Sequence, residues 1–164
     1  IYIDGSGDYI ELIANQHNID LNTDDFTIET WIYLTGINTT ATFIVGQNYS
    51  SSVFQFDSSG RLQFYSAPAG AYLVTGSTTL SLNTWYHVAV VRNGNTFTVY
   101  LDGNSDGTGT SSLDSGFRAD RIFRIASWNN TTATWSGYIQ DLRITIGLAR
   151  YTTNFTPSTT PLKA

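Results

Sequence analysis

The sequence predicts an all-β fold, a two-sheet antiparallel jelly-roll sandwich, on three observations. First, short runs of β-branched and aromatic residues recur along the whole chain, separated by Gly, Ser, Asn and Asp clusters, with no amphipathic helix longer than a turn or two. Second, aromatic residues make up 14% of the chain and charged residues only 13%, against roughly 25% charged in an average soluble domain. Thr, Ser, Asn and Gly carry the polarity instead, a composition poor in helix formers. Third, two strand-like runs, Trp85 to Arg92 and Thr96 to Leu101, meet at Asn93-Gly94, a strong hairpin signal.

In chain order, Tyr2 to Leu12 reads as two short strands around an acidic, Gly-rich turn, and residues 14–25 as polar loop. Phe26 to Leu34 is a strong strand with Phe26, Ile28, Ile32 and Leu34 on one face and Glu29, Trp31 and Tyr33 on the other; two partly apolar faces mark it as central. Ala41 to Gln47, Val53 to Asp57 and Arg61 to Tyr65 form a meander, with Ser58-Ser59-Gly60 as its second turn. Residues 67–79 read as loop with a short strand near Tyr72 to Val74. In the hairpin, a loop at Asn93-Gly94 sets Val90 opposite Phe97, Val88 opposite Val99 and Tyr86 opposite Leu101, all on one face. The other face pairs Val91 with Thr96, Ala89 with Thr98 and His87 with Tyr100. Gly103 to Gly116 holds at most a weak strand. Arg121 to Ala126 is a strand, Ser127 to Thr134 a polar loop, Gly137 to Ile146 a long strand with Leu142, Ile144 and Ile146 on one face, and Thr152 to Pro161 an extended tail.

At 164 residues the chain is one domain by length, residues 1–164, with enough material for a good core. Ile1 and the absence of Met point to a processed chain or a domain of a larger protein. The net charge of −5 argues against nucleic acid and anionic lipid as partners, and no apolar stretch is long enough for membrane insertion. No signal peptide is visible. The absence of Cys removes disulfides and thiolate metal sites.

Several stretches together resemble the laminin-G-like (concanavalin-A-like) jelly rolls. They are Asp4-Gly5-Ser6-Gly7-Asp8-Tyr9, Asp25 to Tyr33, Thr84 to Arg92, Leu101-Asp102-Gly103 and Gly137 to Ile144. Their order and spacing cover nearly the whole chain. The ending, Gly147 to Pro157, resembles the tail of such domains appended to phage tail and other virion proteins. The resemblance implies the fold, a virion or extracellular surface as the setting, and other virion proteins as partners. It leaves function to the sites.

Catalysis finds little support. Glycoside hydrolysis needs paired carboxylates, and hydrolases of this fold carry closely alternating Glu and Asp on one strand. Here the only Glu residues, Glu11 and Glu29, lie on different strands without acidic neighbours two residues away. A lyase with His87 and Tyr100 as proton shuttles is the least implausible enzyme; a plain polar pair on a half-exposed face is the simpler reading. The resemblance also implies a structural Ca²⁺, with Asp141 as a ligand and Asp4 or Asp8 as a second carboxylate. Against that, Asp4 and Asp8 suit turn residues that cap their own backbone.

Sugars are bound by aromatic faces stacking on C–H surfaces with amides and carboxylates on the hydroxyls. Two patches have this chemistry. One is the loop Trp128-Asn129-Asn130 to Trp135; the other holds Glu29, Trp31, Tyr33, His87 and Tyr100, with Tyr65 and Tyr72 nearby. Core packing is the competing role for Trp31, Trp85 and most Tyr. The sequence therefore predicts a non-catalytic module that binds a cell-surface polysaccharide or other glycan, with avidity from many copies. The runner-up is an assembly domain of a phage tail or capsid without a small ligand, and a glycan-degrading enzyme is third.

Overall fold

The computed structural model describes residues 1–37, 42–47, 52–127 and 135–162. The expected two-sheet jelly roll is what it shows. The strands are β1 (Tyr2–Asp4), β2 (Ile10–Leu12), β3 (Phe26–Ile37), β4 (Thr42–Gln47), β5 (Val53–Phe56), β6 (Leu62–Ser66), β7 (Ala71–Thr75), β8 (Trp85–Asn93), β9 (Thr96–Leu101), β10 (Asn104–Thr110), β11 (Phe123–Ile125) and β12 (Trp135–Ile146). The first sheet runs β1-β12-β3-β8-β9-β10 and the second β2-β11-β4-β5-β6-β7. Every neighbouring pair is antiparallel. The two opening strands form where the sequence places them, and they do not pair with each other. The turn after Asp4 sends them to edges of opposite sheets.

The strands place their apolar sides in one core because the side-chain period is two. A run of phenylalanines joins the sheets through that core. Phe26 and Phe97 of the first sheet and Phe64 of the second meet with ring centroids 5.6 to 6.1 Å apart. Phe117, from the segment before β11, stacks on Phe64 at 6.1 Å and contacts Phe123 at 5.9 Å. All five rings are fully buried, each contributing about 1.5–3 kcal/mol by leaving water.

The β8–β9 hairpin has the expected faces but a different register. Asn93 pairs with Thr96, Val90 with Val99 and Val88 with Leu101. The loop is therefore Gly94-Asn95, not Asn93-Gly94. The reason is the turn type. Gly94 alone has positive φ, at 57°, whereas Asn95 does not; that is the type II′ pattern, with Gly at the first loop position. The Asp25 carboxylate accepts the Gly94 N–H at 2.6 Å and fixes the turn. Sliding the partner strand by two residues preserves the sides, so the core is unaffected. What changes is His87, which no longer faces Tyr100; Ala89 does.

The low-propensity stretch after Gly103 forms β10, seven residues of edge strand. Its glycines explain the unpromising composition. A Cβ at Gly109 would sit 1.8 Å from the Leu73 carbonyl oxygen of β7, and one at Gly107 would sit 2.4 Å from that of Thr75. Bare backbone lets the edges of the two sheets close on each other. Gly109→Ala is expected to cost about 1–3 kcal/mol through overpacking, measured as a lower urea midpoint at unchanged slope.

Candidate functional site

The outer face of the first sheet is organised in transverse rows, because residues opposite each other on neighbouring strands share a side. The first row runs across four strands: Tyr2 on β1 pairs with Tyr138 on β12, Tyr138 with Tyr33 on β3, and Tyr33 with Trp85 on β8. The second row is Gln140, Trp31 and His87. The third is Arg143, Glu29, Ala89 and Tyr100, and the fourth Thr145, Thr27, Val91 and Thr98.

A bulge in β12 sets the change between the second and third rows. Asp141 and Leu142 together oppose Thr30, and Asp141 has φ 54°. Asp tolerates this left-handed conformation better than most side chains. The extra residue switches the parity of the strand. Trp135 and Ile139 face the core before the bulge; Leu142 and Ile144 pack against it afterwards. The Gln140 carbonyl released by the bulge accepts a bond from the Thr30 hydroxyl at 2.8 Å.

The C-terminal segment covers the third and fourth rows. The Arg150 N–H bonds to the Thr27 hydroxyl at 3.0 Å, and the Phe155 N–H to the Gly103 carbonyl at 2.9 Å. Ala149, Tyr151 and Phe155 pack on Ala89, Val91 and Tyr100. The Tyr151 and Phe155 rings stack 3.5 Å apart at 5°. Beneath them lies Glu29, with no exposed side-chain surface. Its Oε1 accepts from Arg143 Nε at 2.9 Å and Nη2 at 2.7 Å. Its Oε2 accepts from the Tyr151 hydroxyl at 2.8 Å and lies 3.2 Å from His87 Nε2. A carboxylate only accepts, so Nε2 carries the proton. The His87 ring stands edge-on to Trp31 and Phe155.

Burial alone would raise the Glu29 carboxyl pKa, but the hydrogen bonds from His87, Arg143 and Tyr151 outweigh it and hold the pKa below its ordinary value. Burial and the adjacent Glu29 push the Tyr151 phenol up to about 12. A depressed carboxylate pKa contributes stability that is present above the unfolded value and lost as the pH falls. Asp57 and Asp114, held by Arg61 and Arg118, are shifted in the same direction. The melting temperature is therefore expected to fall as the pH drops through 4.5, the ordinary value for Glu29. Glu29→Gln should flatten that fall in a thermal scan series. The Tyr151 contribution has the opposite sign: it is present below pH 10 and lost between 10 and about 12.

The covering segment stops short of the first row, which stays open. Tyr2 is 54% exposed, Tyr138 44% and Trp85 41%. Ring centroids lie 5.0 Å apart for Tyr2 and Tyr138, 6.0 Å for Tyr138 and Tyr33, and 5.5 Å for Tyr33 and Trp85. Gln140 and Asp141 lie beside the row, joined by a 3.3 Å bond from Nε2 to Oδ2. Two hollows adjoin it. One of about 310 Å³ is lined in part by Ile1, Tyr138, Trp85 and Asp141. The other, about 280 Å³, lies between Trp31, Trp85, Gln140 and Asp141, with Ser158 and Thr159 of the C-terminal segment as its wall.

The structure redistributes the residues that the sequence singled out. Trp31 and Tyr33 belong to the open region or its border. His87 and Tyr100 do not: they are buried under the C-terminal segment, because Phe155 packs against both rings. Trp135 is also removed from the glycan-facing set; it starts β12 on the inner side and is 1% exposed. Trp128, Asn129 and Asn130 lie outside the described residues. Tyr2, Tyr138 and Gln140 are not singled out by the sequence alone, and Trp85 reads there as a core residue. The signal was the alternation Trp31-x-Tyr33, Trp85-x-His87 and Tyr138-x-Gln140 on three separate strands, which forms a surface only once their register is known.

The three proposed calcium ligands are not brought together. Asp4 accepts the Ser6 N–H at 2.7 Å and Asp8 the Asp4 N–H at 2.9 Å, so both cap their own turn. Asp4 pairs with Ser136, five residues along β12 from Asp141 and so about 16 Å away at roughly 3.3 Å per residue. Among the described residues no group of three His, Cys, Asp or Glu side chains is placed to hold a metal. These residues do not fit the calcium site that the resemblance implied. Nor do the two glutamates face each other across a cleft, since Glu29 is buried and Glu11 bonds to Arg124 Nε at 2.9 Å.

The fold agrees with comparison to known proteins. A laminin-G-type family model, described as the concanavalin A-like lectin/glucanases superfamily, matches residues 4–146. The chain belongs to this superfamily. No curated protein matches it in sequence. Among solved structures, this laminin-G-like jelly roll is similar to a putative carbohydrate-binding protein from Bacteroides ovatus, at 16% identity and TM-score 0.63. That match covers 92% of this chain and 45% of the other, so the chain spans less than half of that relative's length. It is also similar to domain 4 of an extracellular arabinanase from Geobacillus stearothermophilus, solved with arabinotriose, at 20% identity and TM-score 0.62, covering 87% and 73% of the two chains. A third is the laminin α1 LG4-5 region of mouse, at 14% identity and TM-score 0.64, covering 89% and 41%. At these identities the likeness concerns the fold.

Proposed function

We propose that this protein is a non-catalytic carbohydrate-binding module whose site is the open aromatic row. The observation that carries the reading is four rings in register on four strands, with Gln140 and Asp141 beside them. Ring faces cover the C–H surfaces of a sugar, while an amide and a carboxylate bond its hydroxyls. Binding and lectin-like proteins among the similar structures support the same reading. The placement of both glutamates in ion pairs supports a binding role over hydrolysis. We place the module on a virion or extracellular surface, on the strength of its low charge and its virion-like C-terminal stretch, where many copies would supply avidity.

Affinity electrophoresis of the multimerised chain through gels containing neutral polysaccharides, with reducing-end release assayed in parallel, tests this. Retardation without release is the expected result. No retardation in any gel would overturn the carbohydrate reading, and release would overturn the non-catalytic one. The second reading, assembly through an apolar surface, draws on Ile1, which is 64% exposed next to Tyr2. Self-association that is lost with Tyr138→Ser would favour it.

A further inference from the structure

We propose that the ligand of this site is an uncharged glycan bound along its length, laid across the strands on the row Tyr2-Tyr138-Tyr33-Trp85, rather than a terminal sugar or an acidic polysaccharide. This rests on the carbohydrate reading above and narrows it. The first argument is shape. The four paired positions sit on adjacent strands, and strands lie about 4.8 Å apart, so the row extends roughly 14 Å. Consecutive rings are in contact along it, at 5.0, 6.0 and 5.5 Å, which makes a continuous strip rather than isolated anchors. One sugar ring covers one aromatic ring and leaves the rest of the strip wet; a chain of several units covers it all.

The second argument is the wall. The C-terminal segment ends its cover at the second row, where the Ser158 carbonyl accepts the Trp31 indole N–H at 3.3 Å. Ser158 and Thr159 therefore bound the strip on one long side. That leaves the strip's own direction, across the strands towards the β1 edge, as the direction in which a ligand can extend. Neither hollow is closed into an end-group pocket around one ring.

The third argument is charge. Asp141 is the one charged side chain among the described residues lining the two hollows. Among the described residues no Lys or Arg side chain lines either. A sulfated or uronate-bearing chain would be repelled by the Asp141 carboxylate, whereas hydroxyls donate to it. Anion recognition uses Arg or Lys, and neither is among the described residues that line the strip.

The test is calorimetric titration of the full chain with neutral β-glucan, xylan and mannan oligosaccharides from dimer to hexamer, and with their carboxymethylated forms. The expected result is that at least one neutral series binds about tenfold more tightly as tetramer than as dimer, the factor for an added contact worth 1.4 kcal/mol. Affinity then levels off once the row is filled, and the carboxymethylated form binds at least about tenfold more weakly. Asp141→Asn, an isosteric change at a half-buried position, should narrow that last difference. Equal affinity for dimer and tetramer, or tighter binding of the carboxymethylated form, overturns the inference and leaves the carbohydrate reading standing. Binding to none of these neutral chains overturns the inference; if the panel of neutral polysaccharides also fails to retard the protein, the carbohydrate reading falls with it.

Discussion

Glu29→Ala is expected to lower stability by about 3–5 kcal/mol, the usual cost of removing one partner of a buried ion pair. In a chain of this size that corresponds to a drop of roughly 6–20 °C in the melting temperature. The size follows from what Glu29 holds. Its two oxygens take bonds from Arg143, His87 and Tyr151, and those residues come from β12, β8 and the C-terminal segment. Alanine leaves His87 buried without its acceptor and removes the bond that fixes Tyr151 over Tyr100. Tyr151→Phe keeps the stacking on Phe155 and deletes only the hydroxyl, so it should cost far less, about 0.5–1.5 kcal/mol. A double-mutant cycle on the pair should show coupling, because both act through the same oxygen. Equal melting temperatures for Glu29→Ala and the wild type would mean that the segment is held by Phe155 and the backbone bonds alone.

Trp85→Ala is expected to abolish most glycan binding while leaving the fold intact. Its side chain is 41% exposed and anchors the row at the β8 end. Truncating an aromatic anchor of a binding surface costs about 2 kcal/mol, roughly a thirtyfold loss in affinity. Tyr138→Ala should do as much, since Tyr138 touches Tyr2, Tyr33 and Trp85. Titration of each variant, with circular dichroism melting as the control, checks the result. A variant that melts like the wild type and binds like it would remove the row from the site.

The fold was largely legible because alternation is a local property. Phe26, Ile28, Ile32 and Leu34 declare their side without reference to any other strand, and so do Val88 and Val90. The errors arose where geometry depends on distant partners. The hairpin loop moved by one residue because Gly94 had to take the first position of its turn. β10 was undervalued because its glycines answer to β7 across the sandwich edge. His87 and Tyr100 read as half exposed because nothing local shows that residues 149–158 fold back over them. The site was half legible. Trp31 and Tyr33 were found on the correct face, but the row needs Tyr2 and Tyr138 from β1 and β12, whose neighbours are set by topology. Gln140 joins the row by plain alternation from Tyr138, and the bulge at Asp141 is the device that sets Asp141 beside it. The bulge was hidden because a single inserted residue leaves no compositional mark.

The most direct test of the site is mapping of amide and indole chemical shifts in the full chain during titration with a neutral oligosaccharide that binds. Perturbations are expected to cluster at Tyr2, Tyr33, Trp85, Tyr138, Gln140 and Asp141, with the Trp85 indole resonance moving most. Perturbations confined to the outer face of the second sheet, around Tyr65 and Tyr72, would contradict the assignment.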